Sequence, residues 1–135
     1  MIERLGILGA GHLAGFVAIG LRASGWNGAL IIPDRSSAPA FSEAYRAKVV
    51  QDAQTVVDQS DAILLAVRPA HVEGALSELT WPEGKLVLSA MAGVKIARLA
   101  ALAPGSQIIR AMPISAAAVG ASPTPIFPPD DAAEA

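Results

Sequence analysis

Two glycines near the start of the chain separate a short apolar run from one with helical spacing: Leu5-Gly6-Ile7-Leu8-Gly9-Ala10-Gly11-His12-Leu13-Ala14. Where such a turn links a strand to a helix, Gly9-x-Gly11-x-x-Ala14 is a spacing that holds a pyrophosphate. Gly9 allows the tight turn. Gly11 lets the backbone approach a phosphate closely, and Ala14 is small enough for the helix to pack on the strand. The N–H groups that open the helix have no partner within it and face the anion. Gly9, Ala10, Gly11, His12 and Leu13 are therefore candidate contacts for a dinucleotide. A tight strand–helix connection with no ligand is the competing reading.

The second candidate group follows the next apolar run. Asp34 lies a little beyond the distance of about 20 residues at which an acidic side chain meets the adenosine ribose. A carboxylate there accepts from the ribose hydroxyls and favours NAD. Arg35 and Ser36 point to NADP, because a guanidinium and a hydroxyl suit a 2′-phosphate. NADP is the preferred expectation, with Asp34 turned away or serving the turn. The competing reading makes Asp34 a helix cap and leaves Arg35 solvated.

Two further loops could reach the nicotinamide end. Ala66-Val67-Arg68-Pro69 leaves a continuous apolar run, and Ala92-Gly93 leaves another. Either could offer backbone groups to the ribose. Either could equally be a plain strand end. His12 and His71 have no second ligand at metal spacing, so no metal is expected. His71 reads as a surface residue. Ser89 and Ser115 have no visible histidine–acid partners. No catalytic residue is assigned, and none is required for hydride transfer, since the cofactor carries the reactive atom.

These loops need a parallel sheet to bring them together. Leu5–Leu8 predicts a strand, and spacing predicts a helix over 11–24 with Leu13, Phe16, Val17, Gly20 and Leu21 on one face. Further strands are expected at 29–32, 48–50, 62–67, 86–91 and 107–112. Helices are expected at 39–47 with Ser36 or Ser37 as N-cap, from Asp52 to about Ser60, at 70–79 and at 95–102. Strand–helix alternation of this kind predicts an α/β fold, a Rossmann-type doubly wound parallel sheet in the order 3-2-1-4-5-6. The ligand crevice then falls at the carboxyl ends of strands one and four.

Composition agrees with that fold. The chain has 135 residues, 53% of them hydrophobic and only 16% charged. A single domain with helices on both faces of a buried sheet accommodates that balance. The net charge of −2 gives no electrostatic reason to expect nucleic acid or a membrane surface. No cysteine is present, which removes disulfides and thiolate chemistry. No signal peptide or membrane span is visible, and the cytoplasm is the expected compartment.

The dinucleotide-binding domain is expected to occupy residues 1–113. Residues 114–135 change character. They read as a proline-rich stretch with an edge strand near Ile126-Phe127, then an acidic first turn of a further helix at 130–135. The continuation is read as missing, so the protein is expected to be incomplete.

From Ile7 to Pro113 the chain resembles the amino-terminal domain of the pyrroline-5-carboxylate reductase family. The resemblance lies in Gly6–Ala14, Asp34-Arg35-Ser36, Ala66-Val67-Arg68-Pro69, Ser89-Ala90-Met91-Ala92-Gly93-Val94 and Arg110-Ala111-Met112-Pro113. It implies hydride transfer from NADPH or NADH to a cyclic imine, a step of proline synthesis. It implies a small-molecule substrate and a homo-oligomeric full-length protein. The family's carboxy-terminal helical domain is absent from these residues. Ile114-Ser115-Ala116 stands where the family usually has Asn-Thr-Pro, and Ala53 stands where it tends to have asparagine. Those departures keep two other readings open. One is a non-catalytic NADP-binding module. The other is a related nicotinamide oxidoreductase with a different substrate, such as another imine or a deazaflavin.

Overall fold

The apolar runs pair side by side at the centre of the molecule. A computed structural model describes residues 2–112 and 126–127. The strands are β1 (Arg4–Leu8), β2 (Ala29–Pro33), β3 (Ala47–Val50), β4 (Ala62–Leu65), β5 (Leu86–Ser89), β6 (Gln107–Ala111) and β7 (Ile126–Phe127). They form one sheet in the order β3-β2-β1-β4-β5-β6-β7. β1 to β6 are parallel. β7 pairs antiparallel with β6, Arg110 opposite Phe127 and Ala111 opposite Ile126. The expected order therefore holds, with the short edge strand as its seventh member. The expectations at Ile114-Ser115-Ala116 and at 130–135 lie outside the described residues.

Successive residues of each strand point to opposite faces, and both faces are covered. On one side Leu5, Ile7, Leu30, Ile32 and Leu64 pack with Ala14 and Ala18 of helix α1 (His12–Ala23). Phe41 of α2 (Ala38–Tyr45) joins them. On the other side Leu8, Ile31, Ile63, Leu65, Val87 and Ile108 meet three helices. These are α3 (Ala53–Gln59), α4 (Val72–Leu76) and α5 (Ile96–Leu102), through Val56, Val57, Val72, Leu76, Ile96 and Leu99. Double coverage is why the strands read as unbroken apolar runs.

The start of β1 is tied to the start of β4. Asp61 Oδ2 accepts from the backbone N–H groups of Glu3 and Arg4 at 3.0 and 2.9 Å. Its Oδ1 takes the Arg4 guanidinium at 2.8 Å. These hydrogen bonds, the Arg4 side chain first, hold the Asp61 pKa down at about 2. The expected cap of α3 is also present. Asp52 accepts from Thr55 N–H at 2.8 Å and from the Thr55 hydroxyl at 2.7 Å.

Four local expectations need correction. The buried face of α1 is Ala14, Gly15 and Ala18, while Leu13, Phe16, Val17, Gly20 and Leu21 are half-buried. A helix lying close to a sheet puts its smallest residues at the contact and its larger ones at the flanks. The expected helix at 70–79 is a 3₁₀ turn at Pro69–His71 followed by the short α4. Ser37 occupies the N-cap position of α2 but makes no capping hydrogen bond, because its backbone is already helical (φ −82°, ψ −10°). Strands β4 and β5 end at Leu65 and Ser89, two residues earlier than the apolar runs suggest.

Candidate functional site

Three loops meet at the carboxyl ends of the central strands. Ala66 N–H donates to the Leu8 carbonyl at 2.8 Å, and Ala90 N–H to the Leu65 carbonyl at 2.9 Å. The turn after β1 thus lies directly against the loop after β4. Gly9 has φ +100°, and a Cβ built there would stand 2.4 Å from the Ala66 carbonyl carbon and 2.5 Å from Val67 N. Backbone geometry and backbone contact both demand glycine at this position.

Gly11 is different. Its backbone is extended (φ −105°, ψ −160°), which other residues adopt. A Cβ there would meet nothing within 4 Å. Neither strain nor packing within the chain calls for glycine. It occupies the N-cap position of α1, where no side chain makes a cap and the first turn has no acidic residue. The arrangement leaves an open cradle at the positive end of a helix dipole, and the residues fit a pyrophosphate there.

Two adjoining clefts flank this turn. The first, of about 540 Å³, lies between the ends of β1 and β2 and the segment leading into α4. Leu8, Gly9, Ala10, Pro33, Arg35 and Ser37 line one part of it, and Ala53, Val67, Ala70, His71, Gly74 and Ala75 the rest. The second, of about 1070 Å³, runs over the start of α1 towards α2. Gly11, His12, Leu13, Ser36, Ala66 and Arg68 line it, together with Phe16, Phe41 and Tyr45. Among the described residues no aspartate or glutamate lines either cleft, whereas Arg35, Arg68, His12 and His71 do. That charge pattern suits an anion.

The sequence candidates divide accordingly. Gly9, Ala10, Gly11, His12, Leu13, Arg35, Ser36, Ala66, Val67 and Arg68 all line one or both clefts. Asp34, Pro69, Ala92 and Gly93 line neither. Asp34 is exposed, and its N–H donates to the Val50 carbonyl at 2.8 Å, so its backbone serves the strand end. Pro69 opens the 3₁₀ turn. Gly93 has φ +75°, which accounts for glycine there by the turn alone.

His71 is exposed, as expected, yet it lines both clefts. Ser37, noted as a helix cap, and Ala53, noted as a departure from the family, also line the clefts, as do Gly74 and Tyr45, which had not been singled out. Of the last two, Gly74 carried a signal, a glycine inside an expected helix. Among the described residues no group of three or more His, Cys, Asp or Glu side chains could hold a metal ion. None of their helices is long and apolar enough to cross a membrane.

Fold and site together define a Rossmann-type α/β domain with a basic cleft at the point where strand order reverses. The chain belongs to the family described as NADP oxidoreductase, coenzyme F420-dependent, whose model matches residues 4–93. It is 33% identical over 149 aligned positions to pyrroline-5-carboxylate reductase of Escherichia coli, covering 99% of this chain and 54% of that protein. A pyrroline-5-carboxylate reductase structure from Coxiella burnetii superposes with a TM-score of 0.83 at 26% identity, over 96% of this chain and 50% of that one. The Plasmodium falciparum pyrroline carboxylate reductase with NADP bound shares the fold, with a TM-score of 0.80 at 19% identity, over 93% of this chain and 48% of that one. The chain spans about half the length of the curated relatives it matches.

Proposed function

We propose that this chain is the NADP-binding half of a reductase that acts on a carbon–nitrogen double bond, and that pyrroline-5-carboxylate is the substrate of the whole protein. The carrying observation is the unfilled space at Gly11, set at the head of α1 in a cleft that, among the described residues, has no carboxylate in its lining. The substrate rests on the likeness to pyrroline-5-carboxylate reductases along 99% of the chain.

In this reading the N–H groups of the first turn of α1 hold the pyrophosphate. Arg35, Ser36 and Ser37 surround the 2′-phosphate, with Arg35 supplying charge-assisted hydrogen bonds. Asp34, Ala92 and Gly93 take secondary places at the ribose and the nicotinamide end. The loop from Ala66 to Pro69 runs beside the nicotinamide ribose, and its close packing on Gly9 keeps it fixed. When bound, the dinucleotide would supply the hydride for reduction of the carbon–nitrogen double bond, with the accompanying proton coming from solvent. The chain's own part is to bind and orient; no described residue is given the proton. The whole protein is read as a cytoplasmic homo-oligomer acting on a small molecule, on the strength of the same likeness.

The test is an assay of the full-length protein with pyrroline-5-carboxylate, following loss of NADPH absorbance. Turnover that needs both substrate and NADPH is the expected result. Saturable NADPH binding with no turnover would overturn the substrate and leave a binding module.

A further inference from the structure

The two clefts share a short stretch of wall. Gly9, Ala10, Ser37, Val67 and His71 line both, so a ligand that runs from one cleft into the other passes among them. Gly9 and Ala10 belong to the turn before α1, and Val67 and His71 to the segment after β4. Of the five, His71 alone has a side chain whose type changes charge near neutral pH. It closes the 3₁₀ turn Pro69–His71, where its backbone N–H donates to the Arg68 carbonyl at 2.8 Å. That bond fixes the backbone without using the imidazole, and the residue is exposed.

The charge around His71 is one-sided. The other titratable side chains in the lining are Arg35, Arg68, His12 and the Tyr45 phenol. Carboxylates on the neighbouring elements are engaged or turned elsewhere. Glu73 pairs with Arg98 of α5 at 3.5 Å, and Asp52 at the head of α3 accepts from Thr55 at 2.8 Å. Asp34, just after β2, lines neither cleft. Among the described residues no carboxylate of the lining competes for an imidazolium, so a bound anion is the counter-ion available to it.

We infer that His71 is an ionisable ligand of the dinucleotide's pyrophosphate, across from the Gly9–Ala10 turn, and that its protonation ties cofactor affinity to pH. The inference rests on the dinucleotide reading above. A dinucleotide whose pyrophosphate sits at the head of α1 crosses the shared wall, which brings its phosphate oxygens to His71. The imidazolium gives them a charge-assisted hydrogen bond, whereas neutral imidazole gives at most an uncharged one. Affinity therefore rises as pH falls through the neutral range, and is lost as pH rises.

Titration of the protein with NADH at about pH 6 and at about pH 8 tests it. NADH lacks the 2′-phosphate, whose own ionisation near pH 6 would add a slope. The wild type is expected to bind about fivefold tighter at the lower pH, the effect of one partly solvated charge beside an anion. His71→Gln keeps a donor without the charge; it loses the slope and binds throughout as the wild type does at the higher pH. His71→Lys is charged throughout, and binds at both as the wild type does at the lower pH. A merely structural side chain at this exposed position would not move the slope. A slope absent from the wild type, kept in His71→Gln, or lost instead in His12→Gln would overturn the inference while leaving dinucleotide binding intact. Failure of the wild type to bind NADH or NADPH at either pH would instead overturn the reading beneath it.

Discussion

A methyl group at Gly9 would collide with the Ala66–Val67 peptide, and φ there is already +100°. Such backbone strain alone costs about 1–3 kcal/mol. Gly9→Ala is therefore expected to lose more than about 2 kcal/mol in urea unfolding. Gly11 predicts the opposite balance. Its Cβ would project into open space, so Gly11→Ala should cost no more than about 1 kcal/mol, the difference between glycine and alanine at an N-cap. The same change should weaken NADPH at least about tenfold by keeping the phosphate off the helix end. Arg35 is the third residue of this scale. Arg35→Ala should raise the Kd for NADPH by about 10- to 100-fold, the value of a charged hydrogen bond, and leave that for NADH nearly unchanged. Equal losses for both cofactors would remove Arg35 from the 2′-phosphate.

Elements bring these residues together, and one tie between elements is pH-sensitive. Asp61 joins the start of β4 to the start of β1. Its pKa in the folded protein, about 2, lies below the unfolded value of about 3.9. The tie thus stabilises above pH 4 and fades as pH falls from about 4 to about 2. Asp61→Asn should lower the urea midpoint at pH 7, and the two proteins should converge near pH 2. Much at this scale was legible. Unbroken apolar strands, Asp52 before α3 and the Gly9–Ala14 spacing all have local causes. The buried stripe of α1 was not, because periodicity weights large apolar side chains. Here close approach to the sheet selects Ala14, Gly15 and Ala18, and a Cβ at Gly15 would stand 2.7 Å from the Tyr45 hydroxyl. That His71, Gly74 and Ala53 line one cleft was likewise hidden. Those residues come from two segments that meet only once the sheet has formed.

At the scale of the molecule, the sheet order puts the ends of β1 and β4 side by side, and the two clefts open there. Adjacent loops, the start of α1 and the basic side chains of Arg35 and Arg68 act as one surface for a phosphorylated ligand. The central claim is that this surface holds NADP. Calorimetric titration of the 135-residue chain with NADPH, and with NADH beside it, tests it most directly. The account predicts saturable binding of NADPH, one per chain, with NADH at least about tenfold weaker. No saturable binding of either dinucleotide would contradict it.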